Sequence, residues 1–157
     1  MNDDNYTGND NINRGYRDLE IWQDSIEFYV FVKYKIRELV NVPGKIKSNV
    51  ENSVFYCSSN IAEGYSRRIL KENIQYNTFA LASLAENYSQ VFALFRGKDI
   101  DKKWFDEYDH KHYVLENKII TYNKSLLKQL RNKNDWNNDY LIKELIEHYG
   151  IEAEEEI

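Results

Sequence analysis

Apolar residues recur along the chain in steps of three and four, the spacing that forms one face of an α-helix. The first series predicts a helix from about residue 16 to residue 40, and it comprises Leu19, Trp22, Ile26, Tyr29, Val32, Ile36 and Leu39. Other apolar residues widen this surface beyond one stripe, so we expect the helix to contact more than one neighbour. Pro43, the only proline, and Gly44 end it, since proline disfavours helical geometry in the preceding residue.

Three further series predict three more helices. The second comprises Ile46, Val50, Val54, Cys57 and Ile61. The third runs from about Leu70 to Phe95, and the fourth follows a loop at 96–102 and comprises Leu115, Ile119, Tyr122, Leu126 and Leu130. Amphipathic helices with short connections pack most simply as an up-down-up-down bundle. The sequence therefore predicts an all-α fold, an antiparallel up-down-up-down four-helix bundle.

The two ends of the chain differ in charge from its middle. Residues 1–13 carry three acids and no base, residues 14–135 carry 20 bases and 16 acids, and residues 136–157 carry one base and seven acids. Apolar residues within the last stretch predict a short extra C-terminal helix that docks on the bundle, and they are Leu141, Ile142, Leu145, Ile146 and Tyr149. We expect the glutamate-rich tail to stay solvated through mutual repulsion; the alternative is an intramolecular screen for the basic middle. The predicted segments are a disordered N-terminal segment (1–14), the bundle (15–134), and the short helix with its acidic tail (135–157).

Composition excludes several classes of protein. Charged residues interrupt every apolar stretch, so no span of about 20 apolar residues is present to cross a membrane. The polar, acidic start is unlike a signal peptide. Cys57 is the only cysteine, which excludes an internal disulfide and fits the reducing cytoplasm, where we expect the protein to reside.

Catalytic and cofactor signatures are missing from the sequence: it has no P-loop, dinucleotide fingerprint, GxSxG or paired CxxC motif. His110 and His112 lie two residues apart on a predicted helix and point about 200° apart, so they do not share a metal ion. We expect these histidines to pair on the surface with Asp106 and Asp109. Cys57 lies on the apolar stripe and is predicted to be a core residue. We therefore predict no catalytic residue, no cofactor and no metal ion.

The most informative stretch is Asn60-Ile61-Ala62-Glu63-Gly64-Tyr65-Ser66-Arg67. A continuing helix places Asn60, Glu63 and Arg67 on one face, with Glu63 and Arg67 as an i,i+4 ion pair. Gly64 suits a helix end or a close contact between helices. Ser83 and Glu86 repeat the three-residue step on the next helix and are expected to oppose this face. We interpret the set as a polar cluster that fixes helix register, and a catalytic Glu63–Glu86 pair is the less favoured alternative; its members are Asn60, Glu63, Gly64, Arg67, Ser83 and Glu86.

This motif carries a resemblance to a known family. The chain resembles the four-helix-bundle family of 23S rRNA intervening-sequence proteins in the motif Asn60-Ile61-Ala62-Glu63-Gly64. The resemblance extends to Leu19-Glu20-Ile21-Trp22-Gln23 near the start and to Glu72, Ala80, Ser83 and Glu86 in the third helix. The resemblance covers about residues 16–130 and implies a bacterial protein that assembles as a homopentamer. A related branch is the accessory protein of diversity-generating retroelements, which binds a reverse transcriptase and nucleic acid. Ile69 departs from the family pattern, because a Ser or Thr there would form a capping box with Glu72.

Two functional hypotheses follow, and an enzyme acting through Glu63, Glu86 or the Asp106–His110 region ranks behind both. The first is a non-enzymatic oligomeric scaffold, because 13 Tyr, 7 Phe and 3 Trp exceed what one small core encloses and exposed aromatics favour protein interfaces. Its partner is a second copy of the chain. The alternative is a nucleic-acid-binding accessory protein that works with RNA, DNA or a reverse transcriptase. Its candidate contacts are Arg37, Lys45, Lys47, Arg67, Arg68 and Lys71.

Overall fold

A computed structural model of the protein describes residues 9–132. All the regular secondary structure in these residues is helical. A 3-10 helix over Ile12–Asp18 comes first. Four α-helices follow, and their bounds are α1 Glu20–Arg37, α2 Gly44–Ser66, α3 Leu70–Arg96 and α4 Lys102–Asn132. The all-α prediction is confirmed for these residues, whereas the predicted C-terminal helix and acidic tail lie outside them.

Consecutive helices pack against each other, and α4 also contacts α1. The Arg37–Glu51 ion pair joins the end of α1 to the first half of α2, and Asn123 of α4 donates to the carbonyl oxygen of Ile74 near the start of α3. These contacts show that α1 runs antiparallel to α2, and α3 to α4. In the described residues, none of the helices has both the length and the apolar character needed to span a membrane.

Helix α1 begins four residues later than the spacing of apolar residues predicts. The Asn11 side chain accepts a hydrogen bond from the Asn13 backbone N–H and caps the 3-10 helix. Leu19 is extended (φ −75°, ψ 120°) and separates that helix from α1. The predicted boundary between the N-terminal segment and the helical body, at residue 15, therefore falls within the 3-10 helix.

The turn between α2 and α3 holds the 3-10 helix in place. Arg68 adopts the left-handed conformation (φ 59°), and its guanidinium donates to the carbonyl oxygen of Ile12 while lying 4.8 Å from the centre of the Tyr65 ring. Ile69 then precedes α3 without a side-chain cap, in agreement with the missing capping box. The start of α3 at Leu70 is confirmed.

The core contains most of the predicted apolar stripes of α2 and α4, and a face of α1 that shares Val32 and Ile36 with the predicted stripe. The buried row of α1 is Ile21, Ser25, Phe28, Val32 and Ile36, whereas Trp22 and Tyr29 pack at its edge. Ile46 lies on the predicted stripe of α2 but is 41% exposed. Phe79 and Phe92, apolar residues of the predicted third helix, are likewise more than 40% exposed. Because α1 is apolar on several sides, its spacing alone does not select the face that is buried.

Candidate functional site

Gly64 lies where α2 and α3 approach each other most closely in the motif region. It sits inside α2, and a Cβ atom built on it would lie 2.7 Å from Tyr76 Cβ and 3.3 Å from Asn73 Cα. Of the two predicted roles, helix end or close contact, the structure supports the close contact. A larger residue would push α3 away from the motif.

Arg67 joins the end of α2 to the start of α3. Its guanidinium donates to Glu63 Oε1 at 2.8 Å, to Tyr76 Oη at 2.9 Å and to Glu72 Oε2 at 3.4 Å, and it lies 5.0 Å from the centre of the Tyr76 ring. The hydrogen bond from Arg67 lowers the pKa of Glu63. The expected Glu63–Arg67 pair is present, and it is exposed.

Asn60 and Ser83 meet in the middle of the α2–α3 contact, but Glu86 does not join them. Asn60 Nδ2 lies 3.5 Å from Ser83 Oγ and also donates to the Tyr56 carbonyl oxygen. Glu86 instead accepts a hydrogen bond from Gln90 of its own helix. It lies ten residues beyond Tyr76 along α3, a separation of about 15 Å. The predicted cluster is thus divided along the helices, and this arrangement gives a catalytic Glu63–Glu86 pair no support.

A buried polar network that the sequence motifs do not indicate links α2, α3 and α4. Asn87 of α3 donates to the Val50 carbonyl oxygen at 2.9 Å and to Ser53 Oγ at 3.0 Å, both on α2. Its Oδ1 accepts a hydrogen bond from Tyr108 Oη of α4 at 2.8 Å, and burial raises the pKa of Tyr108. Every group in this network has a partner, which rigidifies a core. Its signal in the sequence is that Asn87 continues the buried row of Ala80, Leu84 and Val91.

His112 is buried, so its predicted surface pairing with Asp109 is wrong. It is 2% exposed, and its Nε2 lies 2.8 Å from the Leu84 carbonyl oxygen, which only accepts, so Nε2–H is the donor. Its Nδ1 lies 3.3 Å from Glu116 Oε2. His110 is exposed, and Asp106, its predicted partner, pairs with Lys102 instead.

The cysteine thiol is buried, and the potential metal-ligating side chains of the described region are dispersed. Cys57 is fully buried, as predicted, and burial raises the pKa of its thiol to about 12. Among residues 9–132, no three His, Cys, Asp or Glu side chains are grouped so as to hold a metal ion.

The candidate nucleic-acid contacts are mostly engaged within the protein. Arg37 makes two hydrogen bonds of 2.8 Å to the Glu51 carboxylate, and Lys47 donates to the Arg37 carbonyl oxygen. Arg68 is 8% exposed and holds the 3-10 helix, so it is not presented to solvent. Lys45 and Lys71 are exposed, and Arg67 is shared among the partners given above.

The order of these features along the chain agrees with a family of known proteins. The family model described as 23S rRNA-intervening sequence protein matches residues 17–121. The chain belongs to this family. A comparison with curated proteins gives no match.

The 23S rRNA-intervening sequence match includes all of α1, α2 and α3 and most of α4. It contains the whole polar cluster, from Asn60 to Glu86, together with the buried network around Asn87. Residues 12–16 of the 3-10 helix and residues 122–132 of α4 lie outside the match. The Arg68 contact to Ile12 therefore joins a residue of the matched region to one that precedes it.

Proposed function

We propose that this family member is a non-enzymatic oligomeric scaffold in the cytoplasm, built as an antiparallel up-down-up-down four-helix bundle. The antiparallel pairs α1–α2 and α3–α4, and the return contact of α4 with α1, support the bundle. The partner of each chain is another copy of itself. A homopentamer is the assembly that the family resemblance implies.

The observation that carries the proposal is an aromatic face on the outside of α1, α2 and α3. We define the aromatic face by Tyr29, Phe55, Tyr56 and Phe79. Phe55, Tyr56 and Phe79 are 46%, 56% and 43% exposed. The Tyr29 and Phe55 rings lie 5.4 Å apart, and those of Phe55 and Tyr56 6.3 Å apart. Aromatic residues of this kind are enriched in protein–protein interfaces.

The middle of the polar cluster supports the same proposal. Asn60 hydrogen-bonds to the carbonyl oxygen of Tyr56 one turn earlier, and Ser83 to that of Phe79 one turn earlier. The Asn60–Ser83 contact thus lies between two exposed rings of the aromatic face. Hydrogen-bonding groups among apolar anchors favour one relative orientation of two copies.

Sedimentation of variants tests the proposal. We expect wild-type protein to sediment as an oligomer at micromolar concentration. Tyr56→Asp with Phe79→Asp removes two anchors, each worth about 2 kcal/mol, and is expected to weaken association about a thousandfold. Tyr113→Asp is the matched control, because Tyr113 is 64% exposed on α4 and outside the aromatic face. Circular dichroism establishes that each variant is folded.

A wild-type protein that remains monomeric would remove the scaffold proposal. Equal weakening of association by Tyr113→Asp would show that the aromatic face is not the interface. The expected pattern is an oligomer for wild type and Tyr113→Asp, and a monomer for the double variant.

The nucleic-acid-binding accessory protein remains the alternative, and the ion pairing of Arg37 and Arg67 favours the scaffold over it. Both guanidinium groups would have to leave carboxylate partners before they contact phosphate. Retention of RNA or DNA at about 50 mM salt, weakening steeply as salt rises, would support the alternative. No retention at that salt concentration counts against it.

A further inference from the structure

The contact between α1 and α4 is the sparsest of the contacts between neighbouring α-helices. Two cavities lie along it, with volumes of about 560 Å³ and 270 Å³. Val114 and Lys118 line both cavities, so the two adjoin, and we call them together the α1–α4 groove. Other residues of its walls are Leu19, Ile21, Phe28, Phe31 and Tyr122.

The chemistry of the α1–α4 groove suits an apolar occupant. Lys118 reaches across it and pairs with both Glu20 and Asp24 of α1, so the ammonium group at the middle of the groove is already paired and is not left for an acidic ligand. Val114 beside it is 39% exposed. Amphipathic helices bind grooves of this kind through apolar residues at helical spacing.

A segment of the same chain lies within reach of the groove. The described residues end at Asn132, and α4 supplies the wall of the larger cavity from Tyr113 to Ser125. A return from Asn132 to the level of Thr121 covers about 16 Å along α4. Residues 133–140 span up to about 26 Å when extended. The apolar residues that follow them, Leu141, Ile142, Leu145, Ile146 and Tyr149, have helical spacing.

We propose that residues 141–149 dock as an amphipathic helix in the α1–α4 groove of their own chain. The short tether gives the segment an effective concentration in the millimolar range, which a separate partner rarely reaches. Docking covers the opening between α1 and α4 and places the acidic residues 152–156 on the surface beside it. The proposal does not depend on self-association through the aromatic face.

Cross-linking in the full-length chain tests the docking. His148→Cys is combined either with Thr121→Cys, at a position that lines the groove, or with Ile120→Cys, at the adjacent position outside both groove linings. Each protein is treated with a short bismaleimide. We expect the intramolecular cross-link to form at least tenfold faster in the Thr121→Cys protein than in the Ile120→Cys protein. The native thiol of Cys57 is buried and serves as an internal check that the protein stays folded.

A second variant separates docking from chance proximity. Leu145→Asp with Ile146→Asp, added to the Thr121→Cys protein, is expected to reduce the rate to that of the Ile120→Cys protein. Equal rates at the two positions overturn the proposal, as does a cross-link that forms only between chains. A protein that forms the intramolecular cross-link at the expected rate and whose wild-type chain sediments as a monomer contradicts the scaffold proposal alone.

Discussion

The contact between α2 and α3 is tight and joined by buried polar groups, whereas the contact between α1 and α4 is more open and is crossed by the ion pairs of Lys118 and Lys35. Gly64 lets α2 and α3 approach closely, and Asn87 and Ser53 join them by buried hydrogen bonds. Lys118 spans the α1–α4 groove from outside. The difference indicates that register in this molecule is set between α2 and α3, while α1 and α4 leave room for another element.

The largest effect is expected from breaking the buried network on the tight side. Asn87→Leu keeps the branching of the side chain but leaves Tyr108 Oη without its partner, whereas the Val50 carbonyl oxygen still accepts from Ser53 Oγ. An unsatisfied buried group costs about 1–3 kcal/mol, so we expect a loss of up to about 3 kcal/mol in the free energy of unfolding, measured by urea denaturation. Asn117→Leu, at an exposed position on α4, is the control and is expected to change it by less than about 0.5 kcal/mol.

A single methyl group at Gly64 tests the close approach directly. Gly64→Ala places Cβ 2.7 Å from Tyr76 Cβ, and overpacking of this kind destabilises by about 1–3 kcal/mol. Gly44→Ala meets nothing within 4 Å and is expected to be neutral or slightly stabilising. Equal thermal melting temperatures for the two variants would contradict a tight α2–α3 contact.

The burial of Cys57 is expected to make the free energy of unfolding depend on pH. Burial raises the pKa of the thiol from 9.0 to about 12, so above pH 9 the unfolded chain loses a proton that the folded chain retains. Stability then falls as pH rises from about 9 to about 12, by about 1.4 kcal/mol per pH unit. Cys57→Ala is expected to remove this part of the slope in urea denaturation measured at pH 8, 9 and 10. An unchanged slope would show that water reaches the thiol.

The smallest effect is expected on the open side. Lys118→Met removes the bridge to Glu20 and Asp24, which are partly exposed, so the free energy of unfolding is expected to fall by about 0.5–1 kcal/mol. Because solvent screens these ion pairs, the loss should shrink at 1 M salt. The loss of unfolding free energy caused by Asn87→Leu is expected to be the same at low salt and at 1 M salt. A similar salt dependence for Lys118→Met and Asn87→Leu would contradict the difference between the two contacts.

The presence of the helices could be predicted from the sequence because buried residues such as Val50, Val54 and Ile61 recur in steps of three and four. The ion pair of Glu63 and Arg67 could also be predicted, because both residues lie on one helix, four positions apart. What spacing does not contain is the register between helices. Glu86 follows Ser83 by three residues and was expected to oppose the motif, yet it pairs with Gln90 of its own helix.

His112 shows a second limit of sequence reasoning. Asp109 and Glu116 are both at helical spacing from it, and only the packing of Phe28 and Tyr88 around the ring decides which one it meets. The buried row of α1 was predicted only at Val32 and Ile36 for a related reason, because the apolar residues of this helix occupy several faces. In each case the deciding contact comes from a distant part of the chain.

The Arg68 anchor has a consequence for the geometry of any assembly. It keeps residues 9–18 at the pole of the molecule formed by the turn 67–69, and Asn123 beside Ile74 brings the last turns of α4 toward the same pole. Both ends of the described chain, Asn9 and Asn132, therefore lie at the same pole of the molecule. The connections 38–43 and 97–101 form the opposite pole.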